Sequence, residues 1–255
     1  MKELGGFINV ILRGFKDNRY RLSGTKSVVT ASSDTLGKKL QRAWAGTGIR
    51  YVKKVKALGV GMGAGVTRNV DVLRTRLRSM KKRVHRFRRL KKLGINTSRL
   101  LRTGAKAAMT YGQSITGVSD SMLRDQRRTA SAIAAPGAGC GGQNLDIALM
   151  LADENAKAGA DPAFDAHLMP IGDWATAIWE DWMPAAALER VVVSAKAKLR
   201  RSKKVWAVVK GPAAAMVASC HRLGWKVTSS RQLVTDQDET LDLDLDSPAA
   251  VRLPV

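Results

Sequence analysis

The chain has 255 residues, with 44 Lys plus Arg against 21 Asp plus Glu, a formal net charge of +23 and 45% apolar residues. That apolar fraction supports a packed core and excludes wholesale disorder, and the length suits one large domain or two small ones. Two cysteines, Cys140 and Cys220, exclude a disulfide scaffold, and no apolar run is long enough to span a bilayer.

Apolar spacing predicts an amphipathic helix over residues 4–15, a β-branched strand over 27–31, a helix over 35–44 and a strand over 49–60. A long helix follows over 70–93, stopped by Gly94. Further helices cover 98–111, capped by Ser98, and 120–134. The small-residue stretch 134–142 cannot continue a helix and reads as a linker. Beyond it, helices are expected over 144–158, 162–182, 185–209 and 212–223, with Pro162 and Pro212 in first turns that tolerate proline. Residues 225–245 alternate with period two around an acidic turn and read as a β-hairpin. The expected fold is therefore mainly α with a small β component. A basic helical bundle is preceded by a short β element and followed by a smaller helical C-terminal region ending in the hairpin. The expected boundaries are 1–65 for the α/β segment, 66–134 for the bundle, 135–143 for the linker and 144–255 for the acidic-then-mixed helical region.

Charge is unevenly distributed. Between residues 37 and 128 the only acids are Asp71, Asp120 and Asp125. Between 140 and 190 the balance reverses, and residues 236–246 are acidic again. In the long helix, Leu73, Leu77, Met80, Val84 and Phe87 are spaced four, three, four, three, a narrow apolar seam on one face. Nearly everything else is cationic: Arg74, Arg76, Arg78, Lys81, Lys82, Arg83, Arg86, Arg88, Arg89, Lys91 and Lys92. Nine like-charge pairs fall at i,i+3 or i,i+4, among them Arg74/Arg78, Lys82/Arg86 and Arg89/Lys92. Together they cost about 2–4 kcal/mol at low salt. A solvated helix ordinarily relieves such repulsion with Glu or Asp. Here a polyanion supplies the missing counter-charge and gains from counterion release. Arg99, Arg102 and Lys106 on the next helix extend the candidate contact. Nothing in the sequence identifies base-edge readout, so the expected partner is DNA or RNA through its backbone. No membrane partner and no small-molecule substrate are expected, and the expected location is intracellular, nuclear or cytoplasmic.

Other signals are weaker. Gly59, Gly61 and Ala64 match a dinucleotide-binding pattern but lack the later acid that holds a ribose, so hairpin glycines are the preferred reading. Cys140, Cys220, His85, His167 and His221 lack zinc spacing. The acidic run Asp242, Asp244 and Asp246 lacks the Gly and Glu of a calcium loop. The acidic tail is a candidate for docking on the basic helices when nucleic acid is absent. Trp174, Ile178, Trp179 and Trp182 sit in the acidic segment, where core packing or docking is expected instead of base stacking.

Several motifs occur in a telling order. The helix over 4–15 precedes Arg21-Leu-Ser-Gly-Thr-Lys-Ser-Val-Val29, and Val55-Lys-Ala-Leu-Gly-Val60 follows. Then come the basic helices with the step Met109-Thr-Tyr-Gly112, and later Gly211-Pro-Ala-Ala-Ala215 and Arg222-Leu-Gly-Trp225. In this order the chain resembles the region just after the catalytic core of a non-LTR (LINE-type) retroelement reverse transcriptase. The resemblance implies a palm-like and primer-grip-like segment over 1–65, with Lys26 as the lysine after the palm turn, and a thumb-like bundle over 66–134. It implies template–primer backbone binding by part of an RNA-directed DNA polymerase. The family's polymerase site is a Tyr-x-Asp-Asp turn plus an earlier Asp holding two Mg²⁺ ions. No Asp-Asp dipeptide occurs in this sequence. The expectation is therefore no catalytic residue, cofactor or metal in this chain, Mg²⁺ entering only with a core encoded upstream of Met1. The alternative is an unrelated basic RNA- or DNA-packaging or ribosome-associated protein.

Overall fold

The computed structural model describes residues 2–21, 23, 26–135, 145–152 and 159–252. The chain divides into two compact units, residues 1–57 with 62–67, and residues 58–61 with 68–255. The stretch expected as a linker falls within the second of these, and its residues 136–143 lie outside the described residues.

The first unit contains helix α1 (Lys2–Asp17), strand β1 (Val28–Val29), helix α2 (Asp34–Ala43) and strand β2 (Arg50–Tyr51). β1 and β2 pair in parallel, with Val28 opposite Arg50. α2 starts where Ser33 Oγ accepts from the Leu36 N–H at 3.2 Å, and Asp34 in its first turn suits the helix dipole. Tyr51 lies against Gly37, leaving no room there for a Cβ, and its hydroxyl donates to Asp34 at 2.6 Å.

The strand expected over 49–60 is instead broken. After β2 come β3 (Lys54–Ala57) and β4 (Val60–Gly63), which form a two-stranded sheet. The cause is the dipeptide Leu58-Gly59, whose φ values of 45° and 83° make a two-residue hairpin turn.

In the second unit the mainly helical fold class holds, and two hydrophobic cores organise it. α3 (Asp71–Lys92) buries Leu73, Leu77 and Met80, with Val84 and Phe87 packed at the edge, so the four-three seam is the buried face. The next helix is three pieces: α4 (Thr97–Leu100), a π turn (Leu101–Ala105) and α5 (Lys106–Thr110). Its cap is Asn96, whose Oδ1 accepts from the Arg99 N–H at 3.0 Å, rather than Ser98. The widened turn contains Gly104, the poorest helix former in the segment. After α6 (Gln113–Thr116), α7 (Asp120–Ala134) packs on α3, and Met122, Leu123, Ala130 and Ile133 complete this first core. α8 (Leu145–Leu151) adds Leu149; the rest of the helix expected over 144–158 lies outside the described residues, apart from Ala152.

α9 (Pro162–Trp179) joins the two cores. Its start, capped by Asp161 at 2.9 Å to the Ala163 N–H, places Ala166 in the first core. Its second half puts Ile171, Trp174 and Ile178 in the second, with Val192 of α10 (Ala185–Arg201), Met216 of α12 (Pro212–Arg222) and Leu233 and Leu243. α9 stops before 182 because the chain reverses at Asp181, φ 49°. Trp174 is buried and donates from Nε1 to the Ser230 carbonyl at 2.8 Å, whereas Trp179 and Trp182 are exposed, so only part of the tryptophan cluster packs in the core. α10 ends at Arg201, and a single turn, α11 (Val205–Val208), follows, placing Trp206 beneath the Arg222 guanidinium at 3.9 Å. The expected C-terminal hairpin is a three-stranded antiparallel sheet of β5 (Lys226–Val227), β6 (Gln232–Val234) and β7 (Thr240–Asp242). Among the described residues, no helix is long and apolar enough to cross a membrane.

Candidate nucleic-acid interface

The buried seam of α3 turns the rest of the helix outward. Arg74, Arg78, Lys82, Arg83, Arg86, Arg88, Arg89, Lys91 and Lys92 are exposed, and their side chains make no ion pair or hydrogen bond among the described residues. Leu73, Leu77 and Met80 anchor the helix that presents them. Among the described residues, no side chain of the second unit relieves the like-charge repulsion along this face. Lys81 differs, since its Nζ lies 2.8 Å from Asp125 of α7. An ion pair this exposed contributes little stability.

Three other candidate cations are engaged by the fold. Arg76 donates to the Tyr111 carbonyl at 2.6 Å, with its guanidinium 4.8 Å from the centre of the Tyr111 ring. Arg102 donates to the Ala152 carbonyl at 3.1 Å. Lys106 is nearly buried and donates to the Gly159 carbonyl at 2.6 Å and to Asp165 at 3.0 Å. Arg99 is exposed, with no side-chain partner among the described residues. Lys26 is exposed in the first unit, while the helical cations belong to the second.

The acidic segment accounts for part of this partition, that of Lys106. Its carboxylates reach the inward side of the basic bundle: Asp165 holds Lys106, and Asp161 and Asp146 both hold Arg127. Arg127 Nε lies 2.8 Å from one Asp161 oxygen and 3.0 Å from the other, and these carboxylates hold its pKa above the ordinary guanidinium value. Asp120 pairs with Arg222 at 2.8 Å. Apart from the pair of Lys81 with Asp125, none of these carboxylates reaches the outer face of α3.

The acidic tail does not cover α3 either. Asp236 accepts from Trp225 Nε1 at 3.2 Å, Asp238 pairs with Lys226 at 3.7 Å, and Asp244 pairs with Arg231. The sheet supplies nearer cations than the basic helices do, so the docking expected from charge sign alone is replaced by local pairing.

Two cations escaped sequence reasoning. Arg124 and Arg128 of α7 are exposed and without partners among the described residues. Their i,i+4 spacing opposite the buried Met122 and Ala130 was the available signal. Conversely, Arg68 is a cation that the fold half-buries. It donates to the Thr116 and Gly117 carbonyls at 2.8 and 2.9 Å, and burial pushes its pKa down to about 10.

The discounted motifs have structural roles. A Cβ at Gly59 would stand 2.8 Å from the Tyr111 ring and 2.9 Å from Arg76 Nη2, and one at Gly61 would stand 2.6 Å from the Asn69 carbonyl. Close packing thus requires these glycines. Cys220 is fully buried, and burial pushes its thiol up to about 12. Cys140 lies outside the described residues. Among the described residues, no three His, Cys, Asp or Glu side chains gather as a metal site. Comparison of the chain with protein-family models, curated proteins and solved structures gave no match.

Proposed function

We propose that this chain binds nucleic acid, DNA or RNA, through its phosphate backbone, with the outer face of α3 as the principal contact. One observation supports this above the rest: carboxylates of the acidic segment pair with Lys106 and Arg127, and nine cations of α3 stay exposed and unpaired among the described residues. Such a face attracts a polyanion by counterion release and reads no sequence. The order of motifs supports a thumb-like role in the manner of a LINE-type reverse transcriptase, holding template–primer rather than copying it. Under this reading the chain works inside the cell, in the nucleus or cytoplasm.

The test is fluorescence anisotropy with two unrelated oligonucleotide sequences across a salt series. Both should bind with similar affinity, and log affinity should fall linearly with log salt. Absence of binding at low salt would overturn the reading. A primer-extension assay with Mg²⁺ or Mn²⁺ should show no templated synthesis, and synthesis by this chain alone would overturn its non-catalytic part.

A further inference from the structure

A groove of about 490 Å³ lies between α3 and the first half of α7. Arg74, Arg78 and Lys81 line it from α3, and Arg124 and Arg128 from α7. Leu77 and Met122, both buried, also line it. Five cations therefore face one carboxylate, Asp125, which is held by Lys81 at 2.8 Å. The four arginines are exposed and have no partner among the described residues.

The spacing suits a phosphodiester chain. Arg74 and Arg78 are one turn apart on one helix, as are Arg124 and Arg128 on the other. At 1.5 Å per residue each pair is separated by about 6 Å along its axis, close to the separation of successive phosphates on an extended strand. Guanidinium groups suit phosphate oxygens through their forked donors. Ser119 and Ser121 also line the groove, their hydroxyls 3.3 Å apart, and Ser119 makes no side-chain cap to α7.

We infer that this groove seats one phosphodiester strand, with Arg74, Arg78, Arg124 and Arg128 on its phosphates and Asp125 as the carboxylate that holds its affinity down. The inference rests on the backbone-binding reading and adds a defined seat to it. Asp125 competes with the strand for Lys81, so removing its charge strengthens binding. Damage to the fold would not produce that gain.

The test uses the full chain and a fluorescein-labelled oligothymidylate, with circular dichroism to confirm that each variant is folded. The double variant Arg124→Gln/Arg128→Gln should bind more weakly, with a salt slope flatter by roughly 1.4, two single-strand contacts at about 0.7 each. Asp125→Asn should bind severalfold more tightly. Unchanged affinity and slope in the double variant, or no gain in Asp125→Asn, would overturn the groove. If the wild-type chain binds and only substitutions at Arg83, Arg86, Arg88 and Arg89 weaken it, backbone binding stands and the groove falls. If the wild-type chain does not bind at low salt, the underlying reading falls with it.

Discussion

Lys106 Nζ lies 3.0 Å from Asp165 Oδ1, and Thr110 Oγ1 donates to the other carboxylate oxygen at 3.0 Å. Only 12% of the lysine and 16% of the aspartate side chain are exposed. The pair joins the basic and acidic stretches of sequence within one compact unit. It also shows why a cation in a basic stretch need not face a polyanion. Lys106→Met leaves Asp165 nearly buried and uncompensated, which should cost about 3–5 kcal/mol. Adding Asp165→Leu should restore most of that loss, because an apolar pair of similar volume carries no stranded charge. Urea unfolding of the single and double variants measures both. Nucleic-acid affinity of the folded double variant should match wild type.

Gly59→Ala should destabilise the chain and disturb Arg76. The position has φ 83°, and the new Cβ would meet the Tyr111 ring at 2.8 Å and Arg76 Nη2 at 2.9 Å. The left-handed conformation alone costs about 1–2 kcal/mol for a non-glycine residue. Thermal unfolding should show the loss, and a variant as stable as wild type would mean the turn tolerates a side chain.

Cys220 is enclosed beside Met216, with Sγ 3.8 Å from Sδ, and its thiol is pushed up to about 12 by burial. In a Cys140→Ser background, a thiol reagent should not react at neutral pH until denaturant is added. Rapid reaction of the native chain would contradict the burial of α12.

Burial lowers the pKa of His167 below its ordinary 6.5, and the nearby Arg222 charge acts in the same direction. Its Nδ1 donates to the Ala163 carbonyl at 2.7 Å. The unfolded state therefore takes up a proton first as pH falls. The contribution of His167 to stability is complete above about pH 6.5 and declines as pH drops below that value. Stability measured from pH 7.5 down to 5 should fall less steeply in His167→Gln. An identical profile would place the pH dependence elsewhere.

Local periodicity carried much of this fold. The four-three spacing of Leu73, Leu77, Met80, Val84 and Phe87 marked both α3 and its buried face, and α7 occupies residues 120–134 as its pattern indicates. The hairpin at Leu58-Gly59 was less legible because a valine stands on each side, at Val55 and Val60, with no polar turn pair between. The site was legible as a charge excess but not as a division of labour. Which cations stay open depends on partners such as Asp165 for Lys106 and Asp161 for Arg127, which are 59 and 34 residues away. No local rule encodes those pairings. Arg124 and Arg128 matter because α7 packs beside α3, a tertiary fact rather than a sequence motif.

The salt dependence of binding tests the role of α3 most directly. Affinity for a random-sequence oligonucleotide is measured over a salt series for the wild-type chain and for Arg83→Gln/Arg86→Gln/Arg88→Gln/Arg89→Gln. These four side chains are exposed and unpaired among the described residues, so the fold should survive their loss. Backbone binding through α3 requires weaker affinity for every sequence and a slope flatter by roughly 0.7–0.9 for each phosphate contact removed. A wild-type affinity and slope in the variant would contradict it and move the contact off this helix.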